Sequence, residues 1–183
     1  MKKVILIPLF ISIFTNSIFA QNELTKTEKL ISTAKIWGFL KYYHPEVADG
    51  KFNWDNQLFQ LLPMVANATN KKELSQIYLE WIEKLGKVKP CKQCGQNKST
   101  KYFDKNFDLS WIDKDQLFTD ELSKKLKFIE HNRHQGKKYY VGHYSRRLKI
   151  ANFTNETNYK GFDWHDENLR LLSLFRYWNM IEY

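Results

Sequence analysis

The chain has 183 residues, 43% hydrophobic and 16% aromatic, with 29 Lys and Arg against 20 Asp and Glu for a formal charge of +9. Six Trp and this apolar fraction exclude a disordered chain, and seven scattered Gly leave no Gly-rich phosphate loop. The basic balance is compatible with nucleic acid. An exported chain rarely meets any, however, so an anionic envelope surface or a plain solvated face is expected instead.

Export is read from residues 1–20. Lys2 and Lys3 precede an apolar run, Val4 to Phe14, and Thr15-Asn16-Ser17-Ile18-Phe19-Ala20 supplies a small-residue cleavage region. A spanning helix needs roughly 20 apolar residues, and Asn16 interrupts this run early. A signal peptide cleaved after Ala20 is the reading, with an uncleaved anchor as its alternative. The absence of Cys at that point gives no indication of a lipoprotein anchor. Without Lys2 and Lys3 the charge falls from +9 to +7, and 21–183 is long enough for one domain with a real core. No transmembrane segment is expected after cleavage.

Four helices are expected, in chain order. Thr25-Lys26-Thr27-Glu28 has the form of a capping box. Behind it Leu30, Ala34, Trp37 and Lys41 share a stripe, with Ile31 and Leu40 beside it, until Pro45 ends the helix. Asn53 caps a second helix through Trp54, Leu58, Leu61, Leu62 and Val65, which Pro63 should kink or shorten. Asn70 caps a third, where Leu74, Ile77, Tyr78, Trp81, Ile82 and Leu85 repeat at helical spacing before Gly86. Residues 87–111 read as a long polar loop holding Cys91 and Cys94. A weaker fifth helix is expected from Thr119 to about His131 through Leu122, Leu126 and Ile129. Lys138 to Tyr144 is strand-like and 152–163 reads as loop. The last helix begins near Asp166-Glu167 and sets Leu171, Leu174, Phe175, Trp178 and Ile181 on one face, expected to be only partly covered if the helix normally continues into a further domain, or else packed with the Trp37 helix. The sum is a mainly α domain of four to five helices with one or two short strands.

Few motifs carry chemistry. In an exported chain Cys91-Lys92-Gln93-Cys94 most simply forms a local disulfide. A thioredoxin-type site would need a strand before the pair and a helix after it. Zinc shared with His131 and His134 is the other alternative, at a separation far longer than that of a zinc finger. Asp163-Trp164-His165-Asp166-Glu167 resembles an acid–base cluster, but acidic residues at a helix start serve as caps. Ser123 and Ser145 lie beside Lys or Arg with no context for a nucleophile. Four glycosylation sequons (Asn67, Asn97, Asn152 and Asn155) matter only in a glycosylating host. No cofactor is implied.

One pattern occurs twice. Lys35-Ile36-Trp37-Gly38-Phe39-Leu40-Lys41-Tyr42 aligns with Arg176-Tyr177-Trp178-Asn179-Met180-Ile181-Glu182-Tyr183. Trp37, Tyr42, Trp178 and Tyr183 are expected in the core, an aromatic surface for a peptide or glycan being the alternative. The first copy runs on to Pro45. The second stops on an apolar stripe with neither cap nor Gly, and further chain is expected after it.

Three segments carry a resemblance: Ala34 to Pro45, Gly50-Lys51-Phe52-Asn53-Trp54-Asp55, and Glu167 to Asn179. With the cysteine loop between them, the sequence resembles the amino-terminal region of exported serine peptidases of the C-terminal-processing (tail-specific) family, in its Bacteroidetes-type form. The resemblance implies that a PDZ-like module and an α/β core with a serine–lysine catalytic pair follow in the whole protein. No segment matches the catalytic motifs, so no catalytic residue is assigned. The expectation is a periplasmic or secreted, non-catalytic helical region of a peptidase that acts on polypeptide. A stand-alone exported binding protein with a basic aromatic surface is the alternative.

Overall fold

The computed structural model describes residues 24–92, 94, 108–145, 147 and 151–183. The expectations for the signal peptide, for Asn97 and for most of the polar loop lie outside them. Among the described residues the fold is mainly helical. Its elements are α1 (Lys26–Tyr43), α2 (Pro45–Ala48), α3 (Trp54–Asn67), α4 (Lys71–Lys84), α5 (Trp111–Lys114), α6 (Asp120–His131), β1 (Val141–His143), β2 (Ala151–Phe153) and α7 (Glu167–Glu182).

The long helices start where their caps predict. Thr25 and Glu28 form the full capping box of α1, and Asn53, Asn70, Thr119 and Asp166 each accept a first-turn N–H of their helix. After α4, Gly86 adopts φ +99°, a left-handed backbone that L side chains rarely take. Pro45 both stops α1 and opens α2, because at the first helical position its missing N–H would have no partner anyway. The short turns α2 and α5 were not foreseen, being too brief for a periodic signal. Pro63 does not shorten α3: it sits on the exposed side, where water can serve the carbonyl it leaves unbonded. Within the strand-like run only Val141–His143 is strand, paired antiparallel with β2 so that Val141 lies opposite Phe153 and His143 opposite Ala151. Asn152 and Phe153, read as loop, are therefore strand.

Four helices run the same way. Lys26 pairs with Glu167 at the starts of α1 and α7, and Tyr42 meets Tyr183 at their ends. Ser75 of α4 accepts from Thr119 N at the start of α6, while the end of α6 reaches the end of α1 through His134 N and Tyr43 O. Tyr78 of α4 bonds Ser32 and Thr33 of α1. Only α3 among the long helices runs back: its first residue touches Trp37, and its last turn receives Lys29 Nζ on Ala66 O. A stack of Trp37, Trp54 and Trp81 lies at the centre, with ring centroids 6.0 and 5.0 Å apart. Trp37 and Trp54 exchange indole N–H bonds to each other's backbone carbonyl, both at 3.2 Å, so two large apolar rings are buried with their polar atoms satisfied.

Helix α7 departs from expectation. It buries Leu172, Phe175 and Asn179, whereas Leu174 and Ile181 of the apolar face are exposed and Trp178, expected in the core, faces outward with them. In α1 the burial also differs from a stripe. From Ile36 to Tyr42 every residue is buried, and Ile31 is half exposed.

Candidate functional site

The two copies of the Trp–Tyr pattern meet along one seam. Residues of α1 face residues 141 positions later on α7: Lys26 and Glu167, Gly38 and Asn179, Tyr42 and Tyr183. The pairs fall at four-residue steps or multiples of them, so the same ridge of each helix makes the contact. Asn179 Nδ2 donates to Ala34 O at 3.2 Å and to Phe175 O at 2.8 Å. A Cβ on Gly38 would stand 1.6 Å from Asn179 Oδ1, so only Gly admits this approach. The paired tryptophans do not share a role. Trp37 is fully buried beside Phe175, and Trp178 is 53% exposed. Tyr42 is buried, and Tyr183 is partly covered by Tyr42 and Tyr43. Burial raises the hydroxyl pKa of both Tyr42 and Tyr183.

Beside the seam lies a network of four charges, three from helices and one from the segment that follows β2. Lys41 of α1 is buried and bonds Glu156. Arg176 of α7 bonds Asp55 in the first turn of α3, and its Nε lies 3.0 Å from Glu156 Oε2 without a hydrogen-bond alignment. Tyr159 donates to Asp55 at 3.1 Å, and Arg176 donates to Thr157 O at 3.0 Å. Glu156 follows Asn155, whose φ of 59° and amide bond to Tyr139 O fold the chain inward. Lys41 Nζ also lies 4.6 Å from the Tyr140 ring centroid and 4.9 Å from that of Trp37. Desolvation lowers the Lys41 pKa, and the Glu156 carboxylate opposes that shift. Two cations against two anions leave no free base, and the partner of Lys41 Nζ is a carboxylate rather than a serine hydroxyl. The chemistry here is cross-linking of α1, α3, α7 and the segment that follows β2. Sequence reasoning missed Asp55, Glu156 and Arg176 as a set. The available signal was Lys41 itself, a charge on an apolar stripe.

On the outer side of the same helices runs an apolar groove of about 370 Å³, lined by Leu30, Ile31, Ala34, Leu174, Phe175 and Trp178 among others. A polar cleft of about 270 Å³ on the other flank is lined by Gly50, Asp55, Tyr139, Tyr140 and Glu156 among others.

The remaining candidates fall elsewhere. Cys91 and Cys94 are joined in a disulfide, Cα–Cα 5.4 Å, against the end of α6, where Cys91 N donates to Asn132 Oδ1 at 2.7 Å. His131 and His134 are engaged with the carbonyls of Lys127 and Lys137. Among the described residues no three His, Cys, Asp or Glu side chains gather as a metal site. Asp166 caps α7, and Asp163 bonds the neighbouring His165, all on the surface. No helix among the described residues is long and apolar enough to cross a membrane. Comparison of the chain with protein-family models, curated proteins and solved structures finds no match.

Proposed function

We propose that the chain is the helical, non-catalytic amino-terminal region of an exported serine peptidase of the C-terminal-processing family. On this reading the outer face of α1 and α7 receives the PDZ-like and catalytic parts of the same protein. The observation that carries the reading is the orientation of α7: Ile31, Leu174, Trp178 and Ile181 are 51–64% exposed on adjacent helices. Apolar faces of this kind, rimmed by polar residues, mark a surface that another protein part covers.

The test has two arms. Residues 21–183 should hydrolyse neither unfolded polypeptide nor peptides with apolar C-termini. They should bind a hydrophobic dye that the same chain, extended by the sequence its gene encodes downstream, does not bind. Turnover abolished by mutating one serine or cysteine of this chain would refute the non-catalytic assignment. A stop codon directly after Tyr183, with no dye binding, would leave the stand-alone binding protein as the reading.

A further inference from the structure

The Cys91–Cys94 disulfide is poorly explained as a staple. It closes a ring of four residues, and the constraint a disulfide places on an unfolded chain shrinks with the loop it closes. Both cysteines are only partly buried. Their two sulfurs also sit in unlike surroundings. Cys94 N–H points at Cys91 Sγ across 3.0 Å, a donor that favours negative charge on that sulfur. Cys94 Sγ lies 3.6 Å from the backbone oxygen of Arg133, an acceptor that favours a protonated thiol. The loop is tied to the end of α6 by the Cys91 N–H bond to Asn132 Oδ1. Among the described residues the charged and titratable groups here are Lys89 and Lys92 on the loop and Glu130, His131, Arg133 and His134 at and just after the end of α6, with Tyr43 of α1 and Lys138 near Arg133. The one carboxylate among them is ion-paired with Lys127 at 3.0 Å.

We propose that Cys91–Cys94 is a thiol–disulfide exchange site whose co-substrate is an external dithiol, with Cys91 as the thiolate and Cys94 as the thiol of its reduced form. This differs from a thioredoxin-type site, since sulfur asymmetry here comes from one N–H and one carbonyl rather than from a helix after the motif. It stands independently of the peptidase reading.

The exchange proceeds in two steps. A thiolate of the external dithiol attacks Cys94 Sγ, forming a mixed disulfide and breaking the Cys91–Cys94 bond. Cys91 leaves with the electron pair as a thiolate, held by Cys94 N–H. The second thiol of the partner, deprotonated, then attacks its own sulfur in the mixed disulfide, and Cys94 departs and takes up a proton beside Arg133 O. The partner dithiol is oxidised to a disulfide and gives up two protons. One protonates Cys94 and the other goes to solvent, and two electrons reduce Cys91–Cys94.

The test is alkylation of folded, reduced protein. Residues 21–183 are treated with dithiothreitol without denaturant, their fold is checked by circular dichroism, and iodoacetamide labelling of each cysteine is followed by mass spectrometry. The expected result is full reduction with unchanged ellipticity, and Cys91 labelling about tenfold faster than Cys94 near neutral pH. In Cys94→Ser the fast labelling of Cys91 should persist, and in Cys91→Ser the remaining Cys94 should label at the rate of an ordinary thiol. Reduction only in denaturant, or equal labelling of the two sulfurs, overturns the proposal. So does faster labelling of Cys94.

Discussion

Two residues at the seam show how little space separates α1 from α7. The Oδ1 atom of Asn179 has no hydrogen-bond donor, yet it faces the Cα–H of Gly38, a weak donor that no other residue could present so closely. Gly38→Ala should therefore cost about 2 kcal/mol through overpacking. In Gly38→Ala with Asn179→Ala the two losses should not add, because the clash has gone. Urea unfolding of the four proteins measures this, and simple additivity would contradict the contact. His44 makes a different point. It is fully buried, and desolvation, opposed more weakly by Glu46 and the Gly86 backbone, lowers its pKa from 6.5 to about 4. The fold thus holds the neutral ring, whereas the unfolded chain protonates first as pH falls. The stability this gives is complete above pH 6.5, shrinks as pH drops toward about 4 and is lost below it. The shift corresponds to roughly 3 kcal/mol. His44→Phe should flatten the unfolding midpoint across that window relative to wild type, and parallel profiles would refute the assignment.

Among the elements, α7 is the informative one, because its two faces carry opposite instructions. Counting hydrophobic residues turns Leu174, Trp178 and Ile181 inward. The folded helix instead seats Asn179 and keeps Arg176 close to the core, since Ala34 O, Asp55 and Glu156 wait there to bond them. Trp178→Ala should consequently change the stability of the isolated chain by no more than about 0.5 kcal/mol. Trp37→Ala, at the corresponding place in the first copy, should cost about 3–5 kcal/mol. Equal losses in thermal or urea melts would mean that Trp178 is packed. The same helix marks what was legible beforehand. Caps were, because Thr25, Asn53, Asn70 and Asp166 act within their own first turns. The helices α1, α3, α4 and α6 were too, through apolar periodicity. The rotation of α7 was not, nor was the charge network. Both depend on partners between 14 and 145 positions away that no local pattern connects, such as Lys41 with Asp55 and Ala34 with Asn179.

At the scale of the molecule, four like-directed helices give the bundle two unlike ends. Each helix places about half a positive charge at its start and half a negative charge at its end. Thr25, Asn70, Thr119 and Asp166 cap the first end, with Glu28, Glu73, Asp120, Glu121 and Glu167 in the first turns. Lys41, Lys84 and His131 stand in last turns at the second. Lys41 and Lys84, two of the 29 Lys and Arg, therefore stand where helix ends favour cations. The parallel pairing of α1 with α7 has a kinetic consequence as well. Adjacent helices usually close over a short connection, but this pair must bring together segments 141 residues apart. Contacts of such separation form late and slow the search for the native state. Docking of α7 should be the last step of refolding, after α1, α3 and α4 have gathered around the tryptophan stack. Asn179→Ala should then speed unfolding while leaving the main folding rate nearly unchanged. Stopped-flow chevrons read that directly, and a slowed folding arm would place the α1–α7 seam in the nucleus instead.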